Sequence, residues 1–447
     1  MTDFPRINDV KTFRMTGFSF DDATSTATLS YAFDDAVFFD EKITFADAPA
    51  VPDDRKEALN DCLRLLHIAA GVSYYKAYIP PQIVVETGAL TQKEADFFNR
   101  FYRNGLGEFS FKNKVVPPVR FTFDGQAVLK THQTALTRRC VVPVGGGKDS
   151  VVTLETIKAS GREPVLFSVN TPRPIRDTIA VSGCPSIRVM RTISPVLPEL
   201  NDYAETCGVL NGHIPVTGVF AFVLMTAAVI YDFSDVLMSN ERSANVGNTD
   251  FQGQMVNHQW SKSVDFENAF ADLTAAVLPA FRYFSFLRPL SELMIAKKFA
   301  AMTAYDDAFT SCNKAFRLDP LTRIDRWCGD CDKCRFVFLA FAPFMEKDRL
   351  VKIFGRNPLN EETQIKGYRE LMGLEGFKPF ECVGEIEESA WAFAQIANRA
   401  EYKDDVVVKA LRREAAKIPY DEKKLFTPSE NHRIPQDYAD ALALLEK

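Results

Sequence analysis

The sequence predicts an α/β protein. It reads as a parallel-sheet core, preceded by an N-terminal α+β domain and followed by a mostly helical C-terminal region. Three observations carry this. Between residues 138 and 300, short β-branched runs at 139–144, 164–169, 187–190 and 236–239 alternate with helical stretches. Such alternation indicates a parallel sheet covered on both faces. The first 135 residues instead open with consecutive strand-like runs before any helical pattern. Beyond about residue 340 the chain is charged and helical in period. A chain of 447 residues exceeds one ordinary core, and the expected division is 1–135, 136–340 and 341–447.

In the front part, runs at 13–20 and 26–33 flank the turn signal Asp21-Asp22-Ala23-Thr24, and 37–45 is a third β-rich run. Asp53-Asp54 opens a helical pattern with Leu59, Cys62, Leu63, Leu66 and His67 at helical spacing. Thr91 opens a second helix over 92–102. Between them, residues 71–80 hold three tyrosines and a lysine. Tyr74, Tyr75 and Lys76 could line a sugar or nucleotide pocket, and a half-buried strand edge fits the same pattern. In the core part, a glycine cluster follows the run at 139–144, then a helix over 149–159 closed by Gly161. The apolar stretch 216–231 contains Thr217, Gly218 and Thr226 and is short for a bilayer span. It reads as a buried helix of a large core.

Apolar residues make up 46% and charged residues 25%, the balance of a soluble globular protein. Phe outnumbers Trp 37 to 3, so the cores should be rich in phenylalanine rings. A net charge of −6 offers no bulk attraction for nucleic acid. The N-terminus has no basic segment leading into an apolar one, so no secretory signal is expected. Nine cysteines, three of them clustered, fit a reducing cytoplasm better than a disulfide scaffold. Neither a nucleic acid nor a membrane is an expected partner.

The stretch Val144-Gly145-Gly146-Gly147-Lys148-Asp149-Ser150 lies between a strand and a helix. Three glycines allow a tight turn and leave the backbone N–H groups uncovered. Those donors sit at a helix N-terminus, where the dipole favours anions. Lys148 adds a positive charge and Ser150 a hydroxyl for a phosphate oxygen or its hydrated metal. A Walker A loop is excluded, because Val142 occupies its first glycine position and Asp149 follows Lys148. The stretch resembles the Ser-Gly-Gly-Lys-Asp-Ser signature of the PP-loop ATP pyrophosphatases, with Gly145 where that family usually has Ser. The resemblance implies an adenine nucleotide α hydrolase-like core that binds ATP through Gly145, Gly146, Gly147, Lys148, Asp149 and Ser150. The end of the next strand, with Ser168 and Asn170, is implied as a second nucleotide contact.

The polar loop Ser239-Asn240-Glu241-Arg242-Ser243-Ala244-Asn245 follows the fourth strand of this part. Ligands of open parallel sheets bind at the carboxyl ends of strands. Glu241 could then serve as a base and Arg242 as a planar partner for a carboxylate or phosphate, with Asn240, Ser243 and Asn245 contacting substrate. His258 is a further acid/base candidate. Farther on, Cys328, Cys331 and Cys334 form two overlapping Cys-x2-Cys steps, with Cys312 upstream as the candidate fourth ligand. Four thiolates would close a structural zinc site, and an iron–sulfur cluster uses the same donors. PP-loop enzymes that make 7-cyano-7-deazaguanine carry a similar zinc-holding cysteine cluster.

Taken together, Gly-Val-Ser-Tyr-Tyr-Lys-Ala from Gly71, the glycine loop, the Ser239 loop, Arg-Pro-Leu-Ser-Glu-Leu from Arg288 and the cysteine motif from Trp327 resemble the UDP-N-acetylmuramoyl-L-alanyl-L-glutamate epimerase (MurL) family. The resemblance covers residues 13–390. It implies ATP- and Mg2+-dependent epimerisation of the L-glutamate of a UDP-MurNAc peptide, with AMP and pyrophosphate released, in peptidoglycan synthesis. Lys148, Asp149, Glu241 and Arg242 are then the residues expected to carry the chemistry. The competing readings are another PP-loop enzyme, such as a deazaguanine nitrile synthase or a tRNA-modifying ligase, and a non-catalytic nucleotide sensor.

Overall fold

The computed structural model describes residues 4–317 and 321–446. Its strands are β1 (Thr12–Asp21), β2 (Thr26–Phe33), β3 (Val37–Phe45), β4 (Gln82–Val85), β5 (Cys140–Pro143), β6 (Val165–Val169), β7 (Ser186–Thr192), β8 (Asp235–Met238), β9 (Thr249–Phe251), β10 (Gln254–Val256) and β11 (Arg282–Ser285). The architecture is mixed α/β. The chain groups into two compact units, each assembled from separated stretches. The first comprises Met1–Arg139, Ile187–Val236 and Asp250–Tyr283, and the second Cys140–Ser186, Leu237–Thr249 and Phe284–Lys447.

The first unit is built on a meander. β1 and β2 pair antiparallel from Phe13↔Phe33 to Asp21↔Thr26, with a register shift between Met15 and Gly17. β3 continues antiparallel to β2, β7 runs antiparallel to β3, and β4 joins β1 in parallel. The alternating burial of β3 is the mark of a sheet with one wet face. The helix Lys56–Ala70 packs against Val216–Tyr231. Twelve of the sixteen residues of Val216–Tyr231 are buried, as its apolar composition on all sides requires. Gly218 permits close packing there, since a Cβ would lie 2.5 Å from a Phe101 ring carbon. The helix Gln92–Gly105 starts at Thr91 in a full capping box with Glu94. Among the described residues, no helix is long and apolar enough to cross a membrane.

Two sequence expectations change here. Residues 71–80 are not a strand edge: Val72–Tyr75 is a short, fully buried helix. Strand β4 (Gln82–Val85) follows, in a stretch before Thr91 where no strand is expected from the sequence.

The second unit contains β5 and β6, paired in parallel with Val141 opposite Val165, and the C-terminal ends of β8 and β11. Helices Lys148–Ala159, Glu292–Ala300, Asp332–Phe341, Ile386–Ala397 and Val406–Ala415 surround a single core. That core includes Val151, Leu154, Leu293, Ile295, Phe338, Phe393 and Leu411. Burying each such side chain is worth roughly 1.5–3 kcal/mol, so these helices are held by packing more than by propensity.

Candidate functional site

The glycine loop ends β5 and opens the helix Lys148–Ala159. Gly146 adopts φ +76°, and a Cβ there would press on the Pro174 and Ile175 backbone at 3.1–3.2 Å. A Cβ on Gly147 would come 2.6 Å from Ser311 Oγ. The Gly146 carbonyl accepts from Thr310 N at 2.8 Å, which ties the loop to the segment leading into Cys312. Gly145 is exposed and meets nothing within 4 Å. The turn therefore needs glycine at 146, whereas a Cβ at 147 would displace only the Ser311 hydroxyl and 145 has room for a side chain.

Lys148 is fully buried, and its ammonium is clamped by Asp149 and Glu292. Burial disfavours the charge, but the two carboxylates outweigh it and hold the lysine protonated. The side chain thus points into the unit and not out of the loop. Ser150 Oγ donates to the Gly147 carbonyl at 3.2 Å. Asp149 retains a quarter of its exposure and is the accessible acid of this set. Ser168 Oγ bonds Thr171 Oγ1 at 3.0 Å, and Asn170 sits in the left-handed region at φ +48°.

Glu292 links this set to a carboxylate that the motifs did not reveal. Its backbone N–H donates to Glu388 Oε1 at 2.7 Å, and the Glu385 N–H donates to Glu388 Oε2 at 2.6 Å. Glu388 is fully buried. Burial, and then repulsion from Glu292, push it up to about 8 despite the two N–H donors. Burial lowers the pKa of Lys378, and the charges of Glu388, Glu385, Glu241 and Glu292 act in the opposite direction. The sequence signals were slight: Ser291 caps the helix that Glu292 begins, and Glu385 and Glu388 form a capping box.

In the Ser239 loop, Glu241 is buried, with Ser243 Oγ donating to its Oε1 at 3.3 Å. Asn240 Nδ2 donates to Ser285 Oγ at 3.0 Å, and Asn245 is exposed. Arg242 donates to the carbonyls of Lys424 and Thr427, each at 3.2 Å. Its guanidinium therefore latches the C-terminal segment. The arginine beside Glu241 is the buried Arg288, which donates to the Glu241 carbonyl at 2.8 Å and to Ser285 Oγ at 3.1 Å.

The front residues belong to the first unit's interior. Tyr74 donates to Glu41 Oε2 at 3.0 Å, and Arg191 grips the same carboxylate at 2.7 and 3.0 Å while also donating to Ser73. Tyr75 donates to the Pro80 carbonyl at 3.5 Å. Lys76 Nζ donates to Asn211 Oδ1 at 2.6 Å, and burial draws its pKa down to about 8. Tyr74 and Tyr75 are completely buried, which explains this motif as packing around a buried ion pair. His258 lies in the same unit, hydrogen-bonded to Glu108.

The four cysteines do converge. Cys312 Sγ lies 4.0 Å from Cys331 Sγ, and Cys328 Sγ lies 3.6 Å from Cys334 Sγ. All four sulfurs fall within 4.8 Å of one another. Tetrahedral zinc with Zn–S near 2.3 Å separates its sulfurs by about 3.8 Å. An iron–sulfur cluster spreads its thiolates over several irons and so farther apart. The donor set therefore fits one four-coordinate ion, and the long gap from Cys312 to Cys328 is closed by the fold.

Comparison with known proteins agrees with the motifs. The model of the MurL N-terminal domain matches residues 5–286, and that of the MurL C-terminal domain residues 308–425. A Micromonospora protein named UDP-N-acetyl-alpha-D-muramoyl-L-alanyl-L-glutamate epimerase is 42% identical over 445 residues, covering 96% of this chain and 97% of its own. A Xanthomonas oryzae protein of the same name is 41% identical, covering 91% and 90%. One from Salinispora tropica is 40% identical, covering 97% and 96%. No solved structure matches significantly. The chain belongs to the MurL family and is an epimerase.

Proposed function

We propose that the protein converts the terminal L-glutamate of UDP-MurNAc-L-Ala-L-Glu to D-glutamate for peptidoglycan synthesis. ATP adenylates a glutamate carboxylate, pyrophosphate leaves, and water later releases the epimerised acid and AMP. The observation that carries this is the loop Gly145–Gly147 at the start of a twelve-residue helix, a PP-loop-like anion cradle beside buried acids. The names of the relatives supply the substrate.

The chemistry explains the need for ATP. Removing an α-proton beside a carboxylate creates a poorly stabilised dianion. As the acyl adenylate, the group beside the α-carbon no longer carries that charge; alternatively the L-alanyl carbonyl oxygen attacks the adenylate, the amide N–H proton is lost and AMP is expelled, giving an oxazolone whose α-proton is more acidic still and which water opens to the acid. Glu241 takes the proton, and a proton then returns to the opposite face. Backbone N–H groups of residues 145–150 and the helix dipole receive the pyrophosphate. Ser168 and Asn170 border the nucleotide, while Asn240, Ser243 and Asn245 border the substrate. Asp149 is the oxygen donor that would hold Mg2+, which neutralises phosphate charge when bound. Glu292 and Glu388 act through Lys148 as positioning residues. Cys312, Cys328, Cys331 and Cys334 would hold a Zn2+ with a structural role, since four thiolate ligands would leave no position for substrate. A cytoplasmic setting is the one that suits a nucleotide-linked substrate and ATP.

The test is incubation with ATP, Mg2+ and UDP-MurNAc-L-Ala-L-Glu, followed by chiral analysis of glutamate and quantitation of nucleotides. D-Glutamate formed together with AMP is expected. D-Glutamate formed without ATP, or with ADP as product, would overturn the adenylation route.

A further inference from the structure

Two of the five histidines in the chain meet on one carboxylate of the first unit. Glu108 lies in the helix Gly107–Asn113, His213 in the segment before Val216–Tyr231, and His258 just after β10. His258 Nδ1 hydrogen-bonds Glu108 Oε2, and His213 Nδ1 lies 3.5 Å from that same oxygen. The two imidazole rings are 4.4 Å apart between centroids. The side chains are 4%, 24% and 14% exposed for Glu108, His213 and His258, so the cluster is sheltered but reachable from solvent.

We propose that Glu108, His213 and His258 bind a divalent transition-metal ion, zinc or a close analogue, separately from the cysteine site. A hydrogen bond accounts for His258 but not for His213, whose nitrogen is too distant for a good one. A shared ion accounts for both. The three ligand atoms already fall within 4.8 Å of one another. Tetrahedral zinc with ligands at roughly 2.1 Å separates them by about 3.4 Å, close to the 3.5 Å between His213 Nδ1 and Glu108 Oε2. Two imidazoles with one carboxylate suit zinc, cobalt or ferrous iron, whereas magnesium and calcium select all-oxygen shells. Mg2+ supplied with ATP would therefore not compete effectively here.

The surroundings hold the ligands in place. Lys112 pairs with Glu108 Oε1, the other oxygen, which fixes the carboxylate and leaves Oε2 turned to the histidines. Asn113 Nδ2 donates to the Asn211 carbonyl at 3.1 Å, and Lys76 donates to the Asn211 side chain. These bonds pin the segment carrying His213 to the helix carrying Glu108. Three protein ligands leave a tetrahedral ion one position for water or an anion.

The experiment is titration of metal-free full-length protein with Co2+, read by visible absorption and confirmed by Zn2+ stoichiometry. Thiolate-bound cobalt gives intense charge-transfer bands, whereas cobalt on nitrogen and oxygen gives only weak d–d bands. Wild type should show a weak class that His213→Ala/His258→Ala loses while retaining near-UV circular dichroism. Glu108→Gln, which keeps the shape of the side chain, should weaken that class about tenfold or more. Equal Co2+ and Zn2+ uptake by wild type and the double variant would overturn the proposal. So would a weak class that fills only at millimolar metal. Neither result depends on whether the cysteines bind an ion, or on the epimerase mechanism.

Discussion

Glu388 offers a sharp test of the buried carboxylate network. The perturbation is Glu388→Gln, which removes the titrating proton but keeps the side chain's size. In the folded protein the carboxyl is pushed from an ordinary 4.5 up to about 8. The native state therefore holds a proton that the unfolded state releases across that window, and wild-type stability falls as pH rises from 4.5 to about 8. At about 1.36 kcal/mol per pH unit, this sets a ceiling of roughly 5 kcal/mol. Glutamine replaces one acceptor oxygen by a donor facing a backbone N–H, a pH-independent cost of about 1–3 kcal/mol. Urea midpoints measured from pH 4 to pH 9 on both proteins separate the two effects. The variant should start less stable than wild type and gain on it steadily until about pH 8, then run parallel. Curves parallel throughout would refute both the raised carboxyl and its coupling to Glu292.

Asp149→Asn should keep the fold but cut AMP formation by about 10²-fold or more, measured by nucleotide chromatography. Lys148→Ala should also lower the melting temperature, because Glu292 is left buried without its cation, a loss of about 3–5 kcal/mol. Gly145→Ser should leave the melting temperature unchanged, since nothing lies within 4 Å of its Cβ, while Gly146→Ala should lower it, because φ is +76° there and a Cβ would press on the Pro174 and Ile175 backbone. Elemental analysis should find about one zinc per chain in the purified protein and none in Cys331→Ser, whose second unit should be less stable.

Much of this arrangement was legible where the information is local. The first three strands, the helix at 216–231 and the glycine turn follow from patterns within a few residues. The cysteine motif gave three ligands by spacing, but only folding brings Cys312 to them. What escaped depends on long-range pairing. Glu388 meets Glu292 across 96 positions, and Arg242 finds its carbonyls 182 and 185 positions away. Tyr74 and Tyr75 suggested a pocket because aromatic residues with a lysine suit sugars. The same composition also suits a core, and burial around Glu41 and Arg191 decided for the core. His258 suggested an acid/base group, yet its neighbours Glu108 and His213 come from distant segments that no spacing rule connects.

In the proposed route an adenylated glutamate loses its α-proton. The most direct test of that step is turnover in heavy water, with mass spectrometry of the glutamate α-carbon and parallel counting of AMP. One deuterium in each D-glutamate, with AMP and pyrophosphate appearing in step with inversion, is the predicted result. Inverted product that carries no deuterium, or deuterium exchange that proceeds equally well without ATP, would contradict it.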